Sequence, residues 1–220
     1  SSMKTLAAGF CALLFASAAS LGQAAADCPP RGDATRSKVQ KLNESKARTD
    51  VPTDDAIDDT VTLEALLEPG DDSLRFENGD AVQISAFVLA VRDGGASSSN
   101  CHSSNPSRQE TVLELVSDPN IPDPAHGVFA VVTPLGRAAM ARQGVDGSTR
   151  GLRARYLSRW VLVTGWLLYD FEAASRAVNT APLLGPDIAR ATAWEIHPVT
   201  AIELDEEFPP EDTVLLRASR

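Results

Sequence analysis

Apolar residues along this chain fall into five short runs of period two, interrupted once by a stretch of period near four. The strongest run is Trp160 to Asp170, where Val, Leu, Trp and Tyr continue without a charge until the end. β-Branched and aromatic side chains suit a pleated surface, so the run reads as a strand. Trp160, Leu162, Thr164, Trp166 and Leu168 point one way, and Val161, Val163, Leu167 and Tyr169 the other. Both sides are apolar, which predicts a central strand covered on both faces. Gly165 within it signals a bulge, a sharp coil or a close backbone approach.

Four further strands follow from the same pattern. Ala81 to Arg92 carries Val82, Ile84, Ala86, Val88 and Ala90 on one face and Phe87, Leu89 and Val91 on the other. Gln109 to Asp118 places Leu113 and Leu115 inward and Glu110 and Glu114 outward. Gly127 to Thr133 is a third strand. Ala191 to Leu204 is the last, with Trp194, Ile196, Ile202 and Leu204 on one face and Pro198 imposing a bend or an edge. After Pro134 the period lengthens: Leu135, Ala138, Ala139 and Arg142 mark a helix that Gly144 ends. Ser148 or Thr149 caps a second helix through Leu152, Tyr156 and Leu157.

The order strand, strand, strand, helix, strand, strand resembles the OB-fold, a five-stranded Greek-key barrel with a helix between strands three and four. The resemblance covers about Gly79 to Leu204. It implies a mainly β chain with some α, an OB-like five-stranded barrel bearing an N-terminal extension. A small β-sandwich or SH3-like barrel is the competing architecture. Gly165-Trp166-Leu167-Leu168-Tyr169-Asp170 and Trp194-Glu195-Ile196-His197-Pro198-Val199 are also similar to stretches of uncharacterised secreted bacterial proteins.

Composition adds a compartment. Ser1-Ser2-Met3 reads as a cloning scar ahead of a natural start. Lys4, the apolar run Leu6 to Ala19 and Ala24-Ala25-Ala26 form a secretory signal-peptide pattern over residues 1–26. A membrane span needs roughly 20 apolar residues, and no later segment reaches that. The expected location is secreted or periplasmic. Cys11 leaves with the leader, and Cys28 and Cys101 remain as an even pair suited to one disulfide. The formal net charge is −10, and loss of Lys4 takes it one unit lower. An acidic chain of this kind repels phosphate backbones at long range.

The remaining segments divide as residues 27–78, a polar and acidic extension; 79–204, the barrel; and 205–220, a tail. Within the extension, Ala34 to Arg48 forms either a short helix with Val39 and Leu42 as its apolar stripe or a disordered stretch. Asp50 to Asp80 holds eleven carboxylates against the single Arg75. A helical turn capped by Thr62 lies inside it. Six arginines from Arg137 to Arg159 form a basic patch. Intramolecular pairing with the acidic segment is expected for it ahead of any polyanion.

Candidate chemistry is thin. Glu195 and His197 lie two apart in a strand, so both leave one face about 7 Å apart. With a loop histidine, His102 or His126, they form a conceivable metal set, but a histidine satisfied beside a proline is the simpler reading. No Gly-x-Ser-x-Gly elbow, His-Glu-x-x-His motif or phosphate loop occurs. A disulfide-bonded Cys101 is no nucleophile. The loops 96–108 and 172–190 are the expected ligand-carrying segments, with His102, Arg108, Glu110 and Tyr169 as candidate contacts. The leading expectation is a non-catalytic binding protein for a protein, small molecule or carbohydrate, with no cofactor. The second is a metal-assisted hydrolase using Glu195, His197 and His102, and the third an oligonucleotide binder.

Overall fold

The computed structural model describes residues 28–208 except 122, 183, 184 and 186. The signal-peptide expectation and most of the 205–220 tail lie outside the described residues. The elements are α1 (Ser37–Lys46), α2 (Leu63–Leu67), β1 (Ala81–Asp93), β2 (Thr111–Val116), β3 (Val128–Val132), α3 (Pro134–Arg142), α4 (Thr149–Tyr156), β4 (Trp160–Tyr169) and β5 (Trp194–Leu204). The five strands close into a barrel in the order β1-β2-β3-β5-β4. All pairings are antiparallel except β3 with β5, which run parallel through Phe129–Glu195 and Ala130–Ile196. The barrel is mixed, mainly β and OB-like, with helices between its third and fourth strands. Among the described residues, no helix is long and apolar enough to cross a membrane.

Irregularities in the strands decide which side chains reach the interior. In β1 the even positions Val82, Ile84, Ala86 and Val88 are buried, and a bulge between Val88 and Ala90 brings the odd position Val91 inward in their place. A bulge inserts one residue and so switches the face on which the following side chains lie. In β4 the register shifts around Gly165. A β-carbon there would lie 2.5 Å from the Pro198 carbonyl oxygen and 3.0 Å from the Val199 Cα, both backbone atoms of β5. The glycine is therefore a close approach between two strands, at a bulge. The outer face of β4 is less covered than its apolar pattern predicts. Trp160, Leu162 and Thr164 are half-buried, whereas Trp166 and Leu168 are buried. The reason is that the extension crosses only the second half: the Arg48 guanidinium sits 3.4 Å from the Trp166 ring centroid.

The helices between β3 and β4 close one end. Thr133 Oγ1 accepts from the Gly136 amide and Ser148 Oγ from the Gly151 amide, capping α3 and α4. Met140, Leu152 and Tyr156 join the core, and the Tyr156 hydroxyl donates to the Ile202 carbonyl at 2.8 Å.

The acidic segment belongs to the same core. Val61, Leu63 and Leu66 pack into it, and Thr62 Oγ1 accepts from the Ala65 amide to cap α2. The expected pairing of this segment with arginines 137–159 is not found: among the described residues, no ion pair joins the two. Two of those arginines bond elsewhere, Arg137 to Thr111 Oγ1 and the Pro106 carbonyl and Arg153 to the Val91 carbonyl. What fastens the segment is indole. Trp166 Nε1 donates to the Asp50 carbonyl at 2.9 Å and Trp194 Nε1 to the Asp72 carbonyl at 2.7 Å. A buried tryptophan carries one donor that needs an acceptor, and a backbone carbonyl meets that need without adding charge.

The extension is tied down a second time by the Cys28–Cys101 disulfide, which spans 73 residues of sequence. Two outcomes check this architecture. Cys28→Ser/Cys101→Ser should lose up to about 4 kcal/mol in urea unfolding, the loop-closure value for a ring of this length; an unchanged midpoint refutes the tie. Gly165→Ala should cost about 1–3 kcal/mol through forced strand separation, against a near-neutral Gly185→Ala, where an added β-carbon meets nothing within 4 Å.

Candidate functional site

β5 forms the closing strand, and its residues alternate between the interior and the outer wall. Trp194 and Ile196 join the core, so Glu195 and His197 point outward. They are nonetheless 3% and 2% exposed, because the extension lies over this wall. α1 covers it with Val39 and Leu42, the two apolar residues of an otherwise polar segment. Charges fix α1 in place: Lys38 Nζ sits 4.0 Å from the Phe171 ring centroid, Arg36 pairs with Glu172 at 2.7 Å, and Lys46 pairs with Asp170 at 2.8 Å. Asn43 donates to the Arg31 carbonyl and to Ser98 Oγ, joining the helix to the disulfide loop.

Beneath α1 an ion network forms. His197 Nδ1 and Glu195 Oε1 are 2.8 Å apart, and Arg190 donates to Glu195 Oε2 at 2.8 Å. Arg190 also donates to the Thr192 and Trp194 carbonyls, and its guanidinium lies 4.3 Å from the Phe129 ring centroid. His197 Nε2 faces Glu110 Oε1 at 3.5 Å. It has no hydrogen-bond partner of good geometry, so this contact acts as an ion pair at a distance. Glu110 Oε1 also accepts from Ser99 Oγ at 3.1 Å.

The network sets its own protonation. Burial alone would raise the Glu195 pKa, but the Arg190 charge, the His197 bond and Lys46 hold it far below the usual carboxylate range. Glu110 follows the same pattern: burial works upward, while His197 and Lys46 prevail and lower it. For His197, burial works downward and is outweighed by Glu110 and Glu195, which raise it. Burial likewise depresses Lys46, and Glu195, Asp170 and Glu110 more than reverse that. With His197 protonated, the cations Lys46, Arg190 and His197 balance the anions Glu110, Glu195 and Asp170.

Lys46 and Asp170 of this network reach solvent with side chains 14% and 12% exposed, and so does Glu110 at 15%. Glu110 lines a cleft of about 290 Å³ between α1, the disulfide loop and the start of α3. Cys28, Pro29, Pro30, Ala47, Pro134, Leu135 and Ala138 make the apolar walls, and Lys46, Ser99 and Arg108 contribute polar groups. The expected contacts therefore divide. Arg108 and Glu110 reach one cleft, and the first loop supplies Ser99 and Asn100 to it. His102 is exposed and bonded to Asp33 at 2.9 Å. Tyr169 packs on Trp194 at 5.1 Å between ring centroids, away from the cleft. The 172–190 loop does not line it.

The proposed metal set of Glu195, His197 and His102 is not assembled. Both Glu195 oxygens and His197 Nδ1 are already bonded, and His102 is held by Asp33. Among the described residues, no three His, Cys, Asp or Glu side chains are arranged to hold a metal ion. Lys46, Asp170 and Arg190 escaped sequence reasoning as members of the network. Their signal is faint: Asp170 is the first charge after ten uncharged residues, and Arg190 precedes a five-residue stretch with a single charge, Glu195.

No protein-family model matches this chain, and no curated protein is detectably similar to it.

The electrostatics fix a pH profile. Glu110 and Glu195 have folded pKa values below the ordinary 4.5. Their contribution to stability is complete above pH 4.5 and is lost as pH falls through the folded values. His197 is raised from 6.5, so its contribution is complete below pH 6.5 and lost as pH rises through its folded value. The urea midpoint should be flat between about pH 4.5 and 6.5 and decline on either side. His197→Gln should lose the alkaline decline and cost about 3–5 kcal/mol at pH 6, since it leaves buried carboxylates short of a cation. Identical alkaline limbs in the two proteins would remove His197 from the account.

Proposed function

We propose that this is a secreted or periplasmic binding protein that takes a small molecule into the cleft between α1, the disulfide loop and the start of α3, without transforming it. The observation that carries the reading is the placement of one largely buried carboxylate, Glu110, at the foot of apolar walls. Ligand sites are concave and mostly apolar, with a few fixed polar groups that orient the ligand. Glu110 meets that description because the network behind it holds it ionised and in place. The disulfide supports an oxidising compartment.

The hydrolase reading has less support, because the bonds of Glu195 are spent inside the network and, among the described residues, no three side chains are arranged to hold a metal ion. Oligonucleotide binding has less still. Arg137 and Arg153 of the basic patch are engaged with the fold, and the chain is strongly acidic.

A thermal-shift screen of a small-molecule library against the disulfide-intact protein tests the proposal. A ligand at 100 times its Kd should stabilise the fold by about 2.7 kcal/mol. Leu135→Trp, which fills the cleft from a position already 39% exposed, should fold normally and lose that stabilisation. Stabilisation that survives Leu135→Trp places the ligand elsewhere and overturns the assignment.

A further inference from the structure

The charge balance behind the cleft restricts what the cleft accepts, provided the binding reading above holds. Glu110 is ionised and offers only acceptors. Its Oε1 is occupied by Ser99 and His197, and among the described residues no donor reaches Oε2. Lys46 is an ammonium and offers only donors, of which one goes to Asp170. Both side chains line the same cleft. Within the network itself three cations, Lys46, Arg190 and His197, stand against three anions, Glu110, Glu195 and Asp170. Arg137 feels Asp93 as well as Glu110, and Arg108 at the cleft has an interaction of its own.

A cationic ligand bonded to Glu110 would leave this largely desolvated cluster one positive charge in excess and would approach Lys46 with the same sign. An anion on Lys46 would do the reverse against Glu110. Uncompensated charge in a low-dielectric site is costly. A hydroxyl carries no charge and both donates and accepts, so it satisfies either neighbour without disturbing the balance. The geometry points to an uncharged ligand with adjacent hydroxyls, one donating to Glu110 Oε2 and the next accepting from Lys46 Nζ, its carbon skeleton lying against Pro29, Pro30 and Leu135.

Four probes of one skeleton separate the possibilities: trans-cyclohexane-1,2-diol, trans-cyclohexane-1,4-diol, cyclohexylamine and cyclohexanecarboxylate, titrated into the disulfide-intact protein at pH 6 and followed by amide shifts of the cleft residues. The 1,2-diol should bind about tenfold or more tighter than the amine or the carboxylate, and tighter than the 1,4-diol. Glu110→Gln removes one negative charge from the balanced set, so in that variant the carboxylate should overtake the diol. A purely structural role for Glu110 would weaken all four probes alike and would overturn the assignment. Equal or tighter binding of the amine or carboxylate to the unaltered protein sinks the hydroxyl assignment and leaves the cleft reading standing. No cleft-localised shift with any probe at millimolar concentration overturns both.

Discussion

A glutamate and a histidine on the outer wall of the closing strand cannot be buried unaided, and much of this structure follows from how they are accommodated. β3 and β5 pair through only two positions, one of them Glu195. The seam that closes the barrel is thus also where the charge is buried. Covering that wall requires α1, and covering it without an uncompensated ion requires cations from two directions. Arg190 comes from the approach to β5 and Lys46 from the last residue of α1. Lys46 brings its own counterion, Asp170, from the end of β4. The extension is therefore part of the barrel's electrostatics as well as its cover.

Attachment of the extension divides between two kinds of interaction. Near the network it is ionic and specific, with Arg36, Lys38 and Lys46 set along residues 170–172. Over the second half of β4 and the start of β5 it relies on indole donors and burial, through Trp166, Trp194, Val61, Leu63 and Leu66. Surface carboxylates such as Asp54, Asp55 and Asp59 do neither and are solvated. Exposed ion pairs contribute little, about 0–1 kcal/mol each, so the eleven carboxylates were never a strong reason for the arginine patch to turn toward them. Counting charges along the chain pointed to a contact that side-chain donors and apolar area made elsewhere.

The barrel was legible because strand burial writes itself in period two. All five strands lie where the alternation puts them, and Gly165 stands at a close approach of two backbones. The pair Glu195–His197 was legible as a pair, since two residues apart on a strand fixes a common face. Its environment was not. Alternation says that a side chain faces outward but not whether another segment covers that face, and α1 is too polar to announce itself as a lid. Val39 and Leu42 alone carry its apolar contact. The bulge in β1 was hidden for a related reason: both its faces are apolar, so a switch of parity after Val88 leaves no mark in the pattern. The cleft draws Lys46, Ser99, Glu110 and Leu135 from four separate segments, and no local spacing records such a meeting.

Stability alone does not account for six buried or half-buried charges. Replacing a buried ion network by apolar groups of similar volume is often neutral or stabilising, and this wall already has Phe129, Val112 and Val131 as an apolar cluster nearby. An apolar wall, however, could not hold a carboxylate ionised at the foot of a hydrophobic cleft. Burial by itself pushes the Glu110 pKa up, toward the protonated form that donates as well as accepts. With His197 and Lys46 it stays an acceptor, fixed through Ser99 on one side and His197 on the other. Arg190 and Glu195 then serve at one remove, by keeping His197 oriented and charged. The chain of contacts from Phe129 through Arg190, Glu195 and His197 to Glu110 thus ties the barrel's closing seam to the chemical character of a single oxygen at the cleft.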